Sequence, residues 1–460
     1  MHAALSRIED RELRAHAQAA VESMCWDILA LSDISQLDVQ QFLWRDIPCR
    51  WAIPEHEQGR LAEGLAQLFD QVGMSRYARI CRSATTMAML DAWSVLGGDA
   101  AHRMLVRELD RSGVLPADTD TWQWSQVFGM VEARAHEECA CALEDAIAAG
   151  HLLPGASRWR TGQRGVIDAW LDAEENKLFD GLSPREAVER ERLQHWLDPR
   201  HLSMNVVPVK MRTAICGMFE VARPAARKGG AGSGSRVGDG DAASAFAPLR
   251  LIVEQAALPT GLRLTERGRL SRAFVQDVGE RLDWLDWRIG PVRGEDDIPM
   301  LGRLREFAVT LGLVRRRRQA LVATPRGRAA LNSVGTVCDL AMSELCLADG
   351  AEARVVQLVL AFLLLDGPHE RGVLNRRTSR ALFDAGWRTG SPVEDSLAPD
   401  AVEWWLTECV QLLDALGLLR QAGSWPAITY ELTGAGRAAA LVGLRACAFG
   451  PARDPRELPS

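Results

Sequence analysis

The 460-residue sequence predicts a mainly α protein, in which a helical N-terminal domain precedes two α+β modules carrying small antiparallel wings. Three observations point there. Through the first 222 residues, apolar side chains recur at three- and four-residue steps, the spacing that gathers them on one face of a helix. The stretch 222–247, ARPAARKGGAGSGSRVGDGDAASAFA, then has no apolar period and the composition of a flexible linker. Beyond it, short strand-like runs alternate with helices, and three landmarks return in the same order.

The composition, 47% apolar and 25% charged, is ordinary for a folded protein and long enough for several cores. The longest apolar run, Val355 to Leu365, is too short to span a bilayer and reads as a buried core helix. Ten cysteines lie singly along helical patterns, and Met1–Ala20 has no secretory leader pattern, so a reducing cytoplasm is expected. The net charge of −7 hides an asymmetry. Residues 1–222 hold 23 Lys+Arg against 33 Asp+Glu, whereas 250–331 hold 16 against 10, a local +6 inside an acidic chain.

In chain order, periodicity predicts helices over Ile8–Leu31, Gly59–Val72, Ala101–Leu109, Val127–Ala149 and Gly165–Leu178. Ser183, Pro184 and Glu186 form a complete helix start: N-cap, first-turn proline and capping-box acid. After the linker come a helix at Phe246–Ala257, a strand at Gly261–Leu264, a helix at Glu266–Leu282 and a helix at Leu301–Leu311 that stops at Gly312. Leu313–Arg316 and Ala320–Ala323 then read as strands about a basic turn, and Thr324 opens a last helix.

The order recurs. Arg269–Val275 is echoed by Arg377–Phe383, Leu311–Arg315 by Leu416–Arg420, and Ala323-Thr324-x-x-Gly327-Arg328 by Leu432-Thr433-x-x-Gly436-Arg437. Thr265-x-x-Gly268-Arg269 repeats the last motif at another point, and each Thr is a candidate N-cap. The domains expected are 1–222 (helical), 223–245 (linker), 246–348 (first module), 349–448 (second module) and 449–460 (tail).

Helix–strand–helix–helix–strand–strand is the order of a winged helix-turn-helix, and residues 246–447 resemble that superfamily in two copies. Leu304–Leu331, with its GLVRR at 312–316 and its Thr-x-x-Gly-Arg, is similar to the wing segment of multiple-antibiotic-resistance-type bacterial regulators. The acidic stretch Glu295–Pro299 is similar to one in the tail of plasmid open-reading-frame-3-type bacterial proteins. The resemblance implies the fold first and DNA contact second.

On that fold Arg315, Arg316, Arg317 and Arg318 fall at the wing, where guanidinium groups reach phosphates or a minor groove. The alternative is a hairpin kept soluble by its charge. With Leu301, Leu304, Ala308 and Leu311 inward, the third helix turns Gly302, Arg303, Glu306 and Thr310 outward with Arg305 on the flank. Arg303 and Arg305 are therefore expected to support the wing, while Glu306 repels phosphate but can accept from cytosine N4. The matching part of the second copy, 402–445, holds three Arg against four acids, and its Trp404-Trp405 pair suggests packing on a protein or a sister domain.

Other chemistries find little footing. His136-Glu137-Glu138-Cys139-Ala140-Cys141 offers ligand types, but on a helix Cys139 and Cys141 diverge by about 200°, so core cysteines beside a solvated acidic stretch fit better. Trp44, Trp51, Trp122, Trp124, Trp159 and Trp170 read as lids on a helical core before interface anchors. No catalytic or phosphate-loop motif is present, so neither enzyme activity, metal nor cofactor is expected. The expected role is nucleic-acid binding by the first module, possible oligomerisation or protein contact through the N-terminal domain or second module, and no membrane contact. A protein-interaction adaptor is the alternative.

Overall fold

The computed structural model describes residues 2–24, 34–174, 179, 181–199, 205–221, 245–282, 284, 292–348, 350–387, 399–424 and 427–452. All of the expected linker except Ala245 lies outside them. The fold is mainly helical with two small antiparallel three-stranded sheets. Packing divides the chain into two compact units, 1–191 and 192–460. The boundary expected at 222 is compositional; Ile215 and Phe219, which precede it, are buried in the core of the second unit.

The first unit is built from helices that include Arg11–Met24, Glu55–Gln71, Gly98–Ser112, Met130–Ala148 and Trp159–Leu171. One core gathers Leu61, Leu65, Leu68 and Phe69, and another Trp122, Trp124, Ile167 and Leu171. Gly64 allows two helices to touch, since a Cβ there would lie 2.6 Å from the Leu13 carbonyl oxygen. Trp44, Trp122 and Trp124 are buried, and the Trp44 indole donates to Thr86 Oγ1 at 2.9 Å. Ser183 and Glu186 form the reciprocal cap that their spacing predicts, each backbone N–H reaching the other's side chain at 3.3 Å. In the stretch of ligand types, Cys139 is buried in the core. His136 is not part of a solvated face: it lies 5.0 Å from both Trp124 and Phe128, and burial lowers its pKa to about 4.

The second unit starts its regular packing with α1 (Val209–Val221), which lies on helices of the second module. The first module runs α2 (Ala247–Ala257), β1 (Leu262–Arg263), α3 (Arg272–Arg281), α4 (Pro299–Thr310), β2 (Val314–Arg317), β3 (Ala320–Ala323) and α5 (Pro325–Ala330). Helix α6 (Val334–Leu347) follows. The second module runs α7 (Ala351–Leu365), β4 (His369–Glu370), α8 (Arg371–Asp384), α9 (Pro399–Ala415), β5 (Leu419–Ala422), β6 (Thr429–Leu432) and α10 (Gly434–Phe449). Helix α7 is the apolar run anticipated from sequence, and its middle, Val355–Leu364, is buried throughout.

The two sheets share order and register. Strand β3 lies between β1 and β2, and β6 between β4 and β5. Leu262 pairs with Leu321 as His369 pairs with Tyr430, and Val314 pairs with Ala323 as Leu419 pairs with Leu432. Each inner strand ends at a threonine that caps the next helix: Thr324 Oγ1 accepts from Gly327 N at 3.0 Å and Thr433 Oγ1 from Gly436 N at 2.9 Å. The same hydroxyls donate back to the Gly312 and Gly417 carbonyls, at 2.6 and 3.0 Å. A Cβ on Gly327 would fall 2.0 Å from the Leu313 carbonyl oxygen, and one on Gly436 1.8 Å from that of Leu418. Only glycine admits that approach, at both places.

Three expectations are corrected. The second helix begins at Arg272, not Glu266, because residues 265–270 are spent on a turn. In that turn Thr265 N–H donates to the Arg269 carbonyl at 2.7 Å, Gly268 takes φ +75°, and Leu264 bridges to Leu270. Thr265-x-x-Gly268-Arg269 is therefore a strand reversal and not a helix cap. The echo of Arg269–Val275 in Arg377–Phe383 also fails, since Ser271 precedes α3 as its N-cap whereas Ser379 sits inside α8 and donates to the Asn375 carbonyl.

Buried residues of both modules form one continuous core, and Phe246 N–H donates to the Leu416 carbonyl at 2.9 Å. Among the described residues no helix is long and apolar enough to cross a membrane.

Candidate nucleic-acid interface

The pleat and register of the first sheet decide where its arginines stand. Residues directly opposite one another share a face, and successive residues alternate. Arg263 opposes Ala320, and Ala320 opposes Arg317 on its other side. Arg315 opposes Val322 two residues along. One face of the sheet therefore carries Arg263, Arg315 and Arg317 around Ala320 and Val322. The other carries Leu262, Leu321, Val314 and Ala323, three of them under 5% exposed, and packs on the core.

Strand spacing puts Arg315 and Arg317 about 7 Å apart along β2, and Arg263 about 10 Å across from Arg317. All three are exposed. Arg318 extends the cluster at the turn, where it takes φ +54°, in the left-handed region that ordinarily favours glycine. Among the described residues, no carboxylate pairs with Arg263, Arg315, Arg317 or Arg318. Arg316 differs. It stands on the opposite face, its Nε donates to the Arg318 carbonyl at 3.3 Å, and its guanidinium covers Gly268 in the β1–α3 turn. Gly268 is thus what lets the turn lie under an arginine.

The two arginines of the third helix are elsewhere occupied. Arg303 donates to Glu408 and Gln411 on α9 of the second module. Arg305 donates through Nε to Glu295 Oε1 at 2.8 Å and through Nη2 to Glu306 at 3.2 Å. Glu295 is only 3% exposed and also accepts from Leu270 N–H at 2.6 Å, so one carboxylate ties the entry of α3 to α4. Gly302 is buried rather than outward, because a Cβ there would sit 2.9 Å from Glu295 Oε1. What α4 leaves exposed is Pro299, Glu306, Val309 and Thr310, with no cation among them.

The structure therefore brings Arg315, Arg317 and Arg318 together, turns Arg316 under, and places Arg303 and Arg305 in pairs within the unit. It adds Arg263, which sequence reading missed. The only signal for Arg263 was a strand placed beside the wing, and its neighbour across the sheet becomes known only with the register.

The second module presents the same positions with other chemistry. Glu370, Thr429 and Ala422 occupy the row of Arg263, Ala320 and Arg317, while Arg420 and Glu431 replace Arg315 and Val322. Its helix α9 exposes Trp404, 59% accessible. In the first unit, Glu12, His16 and Glu57 bring ligand-type atoms within 4.8 Å of one another, but Arg60 already stands 2.7 Å from Glu12 and supplies positive charge there.

Residues 243–336, which take in the first module from α2 to α5, match the model of the Y4jL N-terminal domain. The chain is similar to "Uncharacterized protein y4jL" of Sinorhizobium fredii (strain NBRC 101917 / NGR234), 33% identical over 101 residues. That stretch covers 20% of this chain and 46% of the relative, so less than half of the relative's length is matched. No solved structure matches the chain.

Proposed function

We propose that the two modules are winged helices in a cytoplasmic, regulatory bacterial protein, and that the first binds nucleic acid through the face of its sheet. The observation that carries this reading is the face of Arg263, Arg315 and Arg317, extended by Arg318, with no carboxylate paired to any of the four among the described residues. The strands hold the backbone of these arginines about 7 and 10 Å apart on one face, from which their guanidinium groups can meet a phosphate backbone together. Clustered unpaired cations also repel one another, and a polyanion relieves that. The topology shared by the modules and the likeness of residues 304–331 to a regulator's wing support the winged-helix reading. The nine cysteines described are all free, which fits a reducing compartment.

Four phosphate contacts predict that log K for a mixed-sequence duplex falls with log salt at a slope of about −3 to −4. Changing Arg263, Arg315 and Arg317 together to Ala removes about three units of that slope. Absence of binding at about 50 mM salt, or a slope untouched by the triple change, rules the reading out.

A second reading, that the pair of modules is an adaptor for protein, draws on the exposed Trp404 and the acidic second sheet. Large exposed aromatics are frequent anchors of protein contacts. Under this reading the arginine changes leave binding intact and Trp404→Ala abolishes it.

A further inference from the structure

Resting on the nucleic-acid reading above, we infer that the first module binds duplex backbone without selecting a base sequence, because the second module occupies the helix that would read bases. Direct readout needs a helix whose long face is free, since a helix with its side chains is about 10–12 Å across and must fill a major groove about 12 Å wide. On helix α4 that face is narrowed to Pro299, Glu306, Val309 and Thr310. Leu301, Gly302, Leu304, Phe307 and Ala308 are buried, and α4 packs against both α2 and α9. Arg303, the side chain best suited to a guanine edge, is held by Glu408 and Gln411 of α9. Arg305 is held by Glu295, itself buried.

Of the exposed remainder, Glu306 repels the backbone and offers at most one contact to a cytosine N4, and Val309 and Thr310 make no bidentate contact to a base pair. Recognition is left to the sheet face and the Arg318 tip. Phosphate contacts from the face carry no sequence information, and a tip arginine in a minor groove distinguishes only A·T from G·C. Helix α9 is therefore a built-in block on specificity, and Arg303 is a positioning residue within it.

The test uses the full chain and a panel of unrelated duplexes of equal length, in competition at one salt concentration. Affinities within about threefold of one another are expected, against the thousandfold or greater preference typical of base-reading proteins. A preference of about a hundredfold for one duplex overturns this inference and leaves the nucleic-acid reading standing. No binding to any duplex overturns the nucleic-acid reading itself. In the same assay Arg303→Ala leaves the salt slope unchanged, whereas Arg315→Ala lowers it by about one unit. A slope lowered as much by Arg303→Ala shows that Arg303 touches phosphate and ends the proposal; the duplex panel, run on the unaltered chain, does not depend on how that variant folds.

Discussion

The first and second modules lay the same three strands in the same order and register, close them with the same threonine, and bring a glycine against the same carbonyl. On the outward face of one sheet stand Arg263, Arg315 and Arg317; at the matching places of the other stand Glu370, Arg420 and Ala422. The positions that build the scaffold are few and face inward or along the backbone. The positions that set its chemistry face out and are free to diverge. One architecture therefore offers a cationic surface once and a mildly acidic one, with Glu370 and Glu431 against Arg420, the second time.

The hardest test of the shared scaffold is the glycine pair. A Cβ 2.0 Å or 1.8 Å from a backbone oxygen has no flexible neighbour to yield. Gly327→Ala and Gly436→Ala are each expected to cost about 3 kcal/mol or more in urea unfolding. If either is tolerated, the close approach is not what makes the modules alike.

A second comparison concerns the acids that tie helices together. Glu295 holds Leu270 N–H and Arg305, while Glu403 holds Arg371 and Asn375 in the second module. The Glu295 side chain is 1% exposed and that of Glu403 37%. Glu295→Gln is expected to cost about 2 kcal/mol and Glu403→Gln well under half of that, because water already screens the second. Equal losses in calorimetric unfolding would remove burial as the distinguishing factor.

Outward charge can be transplanted. Glu370→Arg with Glu431→Arg should raise duplex affinity about tenfold at about 50 mM salt and steepen the salt slope by about two units. No gain would mean that the two sheets differ in more than their charges. Smallest and most nearly equal are the caps: Thr324→Val and Thr433→Val should each cost about 1 kcal/mol, agreeing within about 0.5.

What could be read from sequence was what short-range physics decides. Thr324 and Thr433 reach an N–H three residues on, and the Gly312 stop and the Ser183–Glu186 box are equally local. Thr265 presents the same local pattern, yet its hydroxyl accepts from Arg269 N–H, four residues on, and its own N–H donates to the Arg269 carbonyl, in a reversal that exists because Leu264 and Leu270 bridge. Periodicity put Arg303 on the outside of α4, correctly for an isolated module. Its partner Glu408 is 105 residues away, and no helical period reveals a second module lying alongside. Arg263 escaped notice for the same reason, since a strand's neighbours belong to the sheet.

The continuous core beneath both modules has a thermodynamic consequence. Two modules that share buried side chains melt together, so free energy gained at one surface is felt by the other. A polyanion bound to the first sheet should therefore delay the melting of the second, although it touches none of the second module's residues.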